Sequence, residues 1–230
     1  MMDPIYAVRD IHGQWDVPET RLDRIQVHHG LVQGSSDADS SGFGDRIDGG
    51  SDSVGVIDRL TAGSVEPRST RVLGNHDAMM LDCLETVDRV TWKSRPSTGG
   101  EGIFRSVAVS LRSGGHIQRA PGDALGRERI KWLRNLSLHV IRGLFLFLHA
   151  ALTLAVRPER QTREHPIWIR GRFLGSNEGQ GIFVVHGYTS SDEPVVRRNR
   201  ICLDTGTASR GVSTASIFVG TLDPVFLHAT

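Results

Sequence analysis

The chain has 230 residues, of which 38% are hydrophobic and 23% are charged. This is the composition of a soluble globular protein, and the length suffices for one domain over residues 1–230 with a full core. The 27 Lys and Arg residues nearly balance the 26 Asp and Glu residues. This near neutrality excludes a global electrostatic field that would attract nucleic acid or a membrane surface.

The cysteines and the apolar runs bear on the expected cellular location. Cys83 and Cys202 lie far apart and no signal-peptide pattern opens the chain, so we expect no disulfide framework and a cytoplasmic location. The longest apolar run, Leu144 to Val156, is shorter than the roughly 20 residues of a membrane helix and contains His149. We therefore expect no membrane anchor.

The first part of the chain repeats one order of elements three times. The run "IYAV" predicts a buried strand, followed by a polar loop and by a helix with Leu22 and Ile25 at helical spacing. A polar second strand precedes Asp45, and the helix after it is predicted to start with Ser51 or Asp52 as its cap. A third strand precedes "GNHD", and the next helix is predicted to begin after Asp77. Three strand-loop-helix units predict an α/β core.

The rest of the chain is predicted to hold more strands than helices. Residues 92–122 are rich in Gly, Ser and Arg and predict loops with one strand near "SVAVSL". A helix capped near Asp123 follows. Strands are then predicted before His149 and before His186, and again at "RICLDTG" and "STASIFV".

Polar side chains gather where the predicted strands end. They are Asp10, His12, Asp45, Asp48, Asn75, His76 and Asp77, with His149 and His186 at the ends of two later strands. Because functional sites in open α/β sheets lie at the carboxyl ends of the strands, we expect these side chains to converge. Carboxylates, imidazoles and an amide oxygen suit Mn, Fe, Zn or Mg.

Seven blocks in order resemble the calcineurin-like metallophosphoesterases, and more narrowly the bacterial serine/threonine phosphoprotein phosphatases. They are "RDIHGQWD", "GDRIDGGSDSVGVID", "GNHDAMM", "FLHAAL", "IWIRGRF", "VVHGYT" and "ICLDTG". The resemblance implies a four-layer αββα sandwich, in which two packed mixed β-sheets are flanked by helices. It also implies two divalent metal ions, with Mn expected first.

The resemblance assigns a role to each matching position. Asp10 and His12 would bind the first metal, Asp45 would bridge both, and Asn75 and His149 would bind the second. His76 would act as the general acid, with Asp48 as its hydrogen-bond partner. Arg170 and Asn75 would bind the phosphate. A water or hydroxide between the metals would attack phosphorus in line.

Four positions depart from the pattern of the family. Arg9 stands where a glycine is expected, Ala151 replaces another glycine, and Gly49 replaces one of two phosphate-binding arginines. Arg46 is a candidate to compensate for that missing arginine. The fourth departure is Tyr188.

Tyr188 stands where the family has a histidine ligand to the second metal. A tyrosine binds metal only when deprotonated, and its reference pKa near 10 makes this costly. His186, two residues earlier on the same strand, would face the same way and is a candidate to replace it as a ligand, although it lies several ångströms away along the strand. If Tyr188 leaves the second metal weakly bound, Tyr188→His should raise metal affinity and turnover.

Three functions are compatible with the sequence. The first is a phosphomonoesterase acting on a phosphoprotein or phosphopeptide, as a monomer and without nucleic acid or membrane as a partner. The second is hydrolysis of a dinucleoside polyphosphate or another small phosphoester. The third is a catalytically impaired phospho-binding protein of the same fold. Gly49 and Tyr188 suggest this hypothesis.

Overall fold

The computed structural model describes residues 4–14, 39–62, 70–85, 125–206, 213–219 and 223–229. Five α-helices, one 3-10 helix (Pro158–Arg160) and ten strands lie in these ranges. The strands are β1 (Ile5–Arg9), β2 (Asp39–Gly44), β3 (Thr70–Leu73), β4 (His139–Arg142), β5 (Phe145–Leu148), β6 (Phe183–His186), β7 (Val195–Val196), β8 (Arg200–Cys202), β9 (Ser213–Phe218) and β10 (Val225–Ala229). The helices are α1 (Ser53–Thr61), α2 (Asn75–Glu85), α3 (Arg127–Arg134), α4 (His165–Trp168) and α5 (Gly171–Gly175).

The strands form two five-stranded mixed sheets. The first sheet has the order β10-β9-β1-β2-β3, in which β1, β2 and β3 are parallel. The second has the order β4-β5-β6-β8-β7, in which β5, β6 and β8 are parallel. Each sheet therefore carries three parallel strands whose carboxyl ends open at one edge.

The two sheets pack face to face through an apolar cluster, in which Phe145, Phe147, Val185 and Phe218 are all buried. A second cluster joins the first sheet to α1, α2 and α3. A third covers the other face of the second sheet with Phe173 of α5. The helix-sheet-sheet-helix sandwich expected from the sequence is confirmed.

The polar second strand is regular and central in its sheet. β2 pairs with β1 on one side and with β3 on the other, so its backbone hydrogen bonds are satisfied by both neighbours. This pairing forms the strand although its sequence, "DSSGFG", has little β propensity. It also fixes the position of Asp45, the residue that follows it.

One predicted helix start, that of α2, differs from the structure. α1 is capped by Asp52, whose side chain accepts from the Gly55 amide, as the sequence suggested. α2 begins at Asn75 and not after Asp77, so the polar residues of "GNHD" lie in its first turn. α3 begins at Arg127 after a positive-φ glycine at 126, whereas the cap predicted near Asp123 lies outside the described residues.

Three strands were missed and two elements cannot be compared. β4, β7 and β10 are short strands at sheet edges that the sequence pattern did not reveal. The predicted helix with Leu22 and Ile25 and the predicted strand near "SVAVSL" lie outside the described residues. In the described part of the chain, no helix has the length and apolar character needed to cross a membrane.

Candidate active site

Four buried polar side chains meet at the carboxyl ends of parallel strands from both sheets. Asp10 follows β1, Asp45 follows β2, Asn75 begins α2 just beyond β3, and His149 follows β5. Each of them is at most 4% exposed. Since buried charges are costly without compensation, their concentration in one place calls for a compensating partner.

The Asp45 carboxylate is the centre of the arrangement. Its Oδ2 lies 3.6 Å from His149 Nε2, 3.8 Å from His12 Nε2 and 3.9 Å from His76 Nε2. Its Oδ1 accepts a 2.9 Å hydrogen bond from the backbone amide of His76. Imidazoles from two loops and from the first turn of α2 therefore converge on one carboxylate.

Asp10 and Asn75 complete the inner set. Asp10 Oδ1 accepts a 2.9 Å hydrogen bond from the Asp45 amide and lies 3.7 Å from His149 Nδ1. Asn75 Oδ1 lies 2.7 Å from His149 Nε2. A side chain at Gly44 would overlap Asp10 Oδ1, so that position requires glycine.

The donor set fits a divalent cation. Ligand atoms of Asp10, Asp45 and His149 lie within 4.8 Å of one another, and carboxylate with imidazole suits borderline metals. Burial raises the pKa of Asp45 to about 6, which His76 opposes and Asp10 reinforces. A bound cation would favour the ionised carboxylate and remove that cost.

His76 and Asp48 form a hydrogen-bonded pair beside this set. His76 Nδ1 lies 2.8 Å from Asp48 Oδ2, which leaves Nε2 toward Asp45. Burial would lower the pKa of His76, but the Asp48 hydrogen bond and the charges of Asp45 and Asp48 outweigh it and raise the pKa to about 9. Burial would raise the pKa of Asp48, but the hydrogen bond to His76 outweighs it and lowers the pKa.

Arg46 is not available to phosphate, contrary to the possibility raised from the sequence. Its guanidinium is buried, with Nη1 2.6 Å from Asp77 Oδ2. The same nitrogen donates to the carbonyls of Gly44 and Val72. Arg46 therefore ties the ends of β2 and β3 to α2. It does not replace the phosphate-binding arginine that the family has at position 49.

We expect Asp77→Asn to destabilise the fold by about 3 kcal/mol, because it leaves the buried Arg46 charge without its partner. Asp82→Asn, on the same helix, is the matched control. Asp82 pairs with Arg163 but its side chain is 57% exposed, so its loss should cost less than about 1 kcal/mol. Urea denaturation of both variants measures the difference, and equal losses would contradict a clamping role for Asp77.

The Ala151 departure is harmless to the backbone. Ala151 is buried and is not among the described residues with positive φ, so it needs no glycine. Gly49 does have a positive φ of 81°, next to Asp48 at 71°. The side chain of Arg9 lies outside what the structure describes.

His186 does not join the inner set. β6 places Phe183 and Val185 between the sheets and Val184 on the outer face, so strand alternation directs His186 outward. Its ring accordingly packs against Phe173, with the ring centroids 5.3 Å apart. This placement does not agree with the ligand role proposed for His186. That role assumed that His186 and Tyr188 share one strand and one face, but β6 ends at His186.

Arg170 and Tyr188 lie at the rim of the site. The Tyr188 ring is 5.4 Å from the His149 ring, and the Arg170 guanidinium lies 4.1 Å from the Tyr188 ring centroid. Burial raises the pKa of Tyr188, although the charge of Arg170 opposes this. Trp168, which the sequence did not single out, meets the Tyr188 ring edge-on.

Comparison with known proteins agrees with this architecture. No family model matches the chain. Serine/threonine-protein phosphatase 2 from Escherichia coli (strain K12) is 33% identical over 100 residues, which are 44% of this chain and 40% of that protein. The chain thus matches less than half the length of that relative.

Solved structures match over almost the whole chain. A putative diadenosine tetraphosphatase has a TM-score of 0.68 at 20% identity and is covered over 93% of its length, with 98% of this chain. A metallophosphoesterase from Sphaerobacter thermophilus has a TM-score of 0.58 at 15% identity, covering 99% of this chain and 88% of that one. At these identities the likeness shows the fold.

The chain has the fold of these metallophosphoesterase-like structures, with its polar side chains at the converging strand ends. The resemblance to the calcineurin-like metallophosphoesterases, and within them to the serine/threonine phosphoprotein phosphatases, is confirmed by the sequence relative and the structural neighbours together.

Proposed function

We propose that this protein is a metal-dependent phosphomonoesterase that hydrolyses phosphoserine or phosphothreonine in proteins or peptides. The observation that carries the proposal is the Asp45 carboxylate, with three imidazole nitrogens within 3.9 Å of one oxygen. One of these imidazoles is held by Asp48 and is free to serve a proton transfer. Cation binding and acid catalysis are thereby combined in one site.

Each side chain has a definite task in this proposal. Asp10, His12, Asp45, Asn75 and His149 would hold two divalent ions, with Mn expected first. The bound ions would supply Lewis-acid stabilisation of phosphoryl charge and acidify water. His76 passes a proton from Nε2 to the leaving oxygen, because Asp48 fixes the ring through Nδ1. Arg170 binds phosphate oxygens from the rim.

The test is hydrolysis of p-nitrophenyl phosphate and of a phosphoserine peptide by purified protein with and without added Mn. We expect turnover to require the cation and to fall at least about 100-fold with excess chelator, because several kcal/mol of stabilisation is lost. Calorimetric titration with Mn should show two equivalents. Cation-independent turnover contradicts the proposal.

One equivalent of Mn with no turnover of either substrate supports the third function, a phospho-binding protein. Gly49 and Tyr188 are the departures that would cause such a loss.

One observation favours the second function, hydrolysis of a dinucleoside polyphosphate. Trp168 and Tyr188 are half-buried and meet edge-on at the rim, with ring centroids 6.2 Å apart, and accessible aromatic rings are surfaces on which a base can stack. A structural neighbour is described as a putative diadenosine tetraphosphatase. The kcat/KM for diadenosine tetraphosphate, measured beside that for the phosphoserine peptide, decides between the two substrates.

A further inference from the structure

Tyr188 stands at a position where the family that the chain resembles has a metal ligand, but here it contacts an arginine. The Arg170 guanidinium carbon lies 4.1 Å from the centroid of the Tyr188 ring. The same guanidinium donates through Nη2 to the Tyr188 backbone carbonyl at 3.0 Å. Both contacts that the structure gives for this guanidinium, within the described ranges, are therefore made with Tyr188.

The loop that carries Tyr188 is anchored on both sides. The Gly187 amide donates to the His149 carbonyl at 2.9 Å, which ties the loop to the inner set. Ser190 Oγ donates to Asp204 Oδ2 at 3.0 Å, and the Ser191 amide donates to the Asp204 carbonyl. Tyr188 itself has a φ of 65°, a conformation uncommon for an aromatic residue, so its carbonyl and ring are held in a specific direction.

The ring of Tyr188 connects the inner set with the exposed arginine. One neighbour of the ring is the buried His149, at 5.4 Å between centroids, and another is the guanidinium of Arg170. Arg170 is exposed, and a long exposed side chain loses rotamer freedom when it binds a ligand. A ring and a carbonyl that hold the guanidinium in advance reduce this loss.

We propose that Tyr188 is a positioning residue that holds the Arg170 guanidinium at the rim of the site for phosphate, in place of the ligand role of the histidine expected there. The proposal rests on the proposed function, since it assigns phosphate binding to Arg170. It separates two properties of this position. The aromatic ring matters, and the hydroxyl oxygen does not.

The experiment measures inorganic phosphate binding to the Mn-loaded protein by calorimetry, which needs no turnover. A cation–π contact at a partly exposed site corresponds to roughly a 2- to 30-fold change in affinity. We expect Tyr188→Leu to weaken phosphate binding about 10-fold, while Tyr188→Phe keeps it within about 2-fold. Arg170→Ala should weaken it at least as much as Tyr188→Leu, and Tyr188→Leu should add little in the Arg170→Ala background.

Two further readouts separate positioning from other roles. With p-nitrophenyl phosphate, Tyr188→Leu should raise KM about 10-fold and change kcat by less than about 3-fold. The Mn affinity of Tyr188→Phe should equal that of the unmodified protein, because no metal ligand is removed. Unchanged phosphate binding in Tyr188→Leu, or weakened Mn binding in Tyr188→Phe, would overturn the proposal.

A measurement on the unmodified protein covers the case in which Tyr188→Leu does not fold. A guanidinium over an aromatic ring places the Arg170 side-chain protons in the ring current, so their NMR signals should shift upfield. Arg170→Lys identifies the signals, and Tyr188→Phe should retain the shift. Arg170 signals at ordinary positions would refute the stacking. Phosphate binding without any turnover would leave this proposal standing and contradict the proposed function alone.

Discussion

Replacing Asp45 with asparagine is expected to lower kcat/KM for p-nitrophenyl phosphate by about 10³-fold, the equivalent of roughly 4 kcal/mol of transition-state stabilisation. Asparagine keeps the oxygen that accepts from the His76 amide but removes the negative charge near three imidazoles. Mn affinity should fall in the same variant. Calorimetric Mn titration and steady-state kinetics measure the two effects.

Asp45→Asn should also be more stable than the unmodified protein in the presence of chelator at pH 8. Burial raises the pKa of Asp45 from 3.8 to about 6, so the folded chain binds this proton more tightly than the unfolded chain. Ionisation therefore destabilises the fold as pH rises from about 4 to about 6, and the full cost is present above pH 6. A neutral asparagine avoids that cost.

Asp58→Asn is the matched control for the Asp45 variant. Asp58 of α1 pairs with Arg129 of α3, and its side chain is 48% exposed. Its loss should therefore leave Mn affinity and kcat/KM unchanged. Lost activity together with gained stability is the signature of a carboxylate retained for cation binding. An Asp45 variant that binds Mn and turns over substrate normally would show that the centre of the site lies elsewhere.

The convergence of the inner set was predictable from the sequence because three of its members obey one simple rule. Asp10, Asp45 and His149 each follow a strand directly, and parallel strands bring their carboxyl ends to the same edge. The rule needs only the order of strands along the chain. It does not need the exact ends of helices, which is why the late prediction of the α2 start did not displace Asn75 or His76.

The rule failed where the facing direction of a side chain decided the outcome. His186 is the last residue of β6, so it still follows strand alternation and faces Phe173. His149 lies just beyond β5 and reaches the site. Sequence pattern places strand ends only within a few residues, and one residue reverses the face of a side chain.

The environment of Arg46 could not be predicted from the sequence for a different reason. Its partner Asp77 is 31 residues away, and no spacing in the sequence indicates that the two will meet beneath the strand ends. The contact forms because β2 and β3 are neighbours, so the second residue after β2 reaches the helix that follows β3. Long-range pairs of this kind are visible only once the sheet order is known.

Replacing His76 with alanine is expected to lower kcat/KM for a phosphoserine peptide by about 10³-fold, within the range for loss of a general acid. The loss should be far smaller, about 10-fold, for p-nitrophenyl phosphate, because its leaving group departs without a proton. Asp48→Asn should lower kcat/KM for the phosphoserine peptide by about 10- to 100-fold, since it removes only the group that orients His76. The loss for p-nitrophenyl phosphate should again be the smaller of the two.

The comparison between substrates is what identifies the role of His76. A residue that binds phosphate or supports the fold would affect both substrates alike, whereas a proton donor affects the poor leaving group most. His139→Ala, on the edge strand β4, is the control and should change neither rate. Equal losses on both substrates would assign His76 to phosphate binding, and the proton would then have to come from solvent.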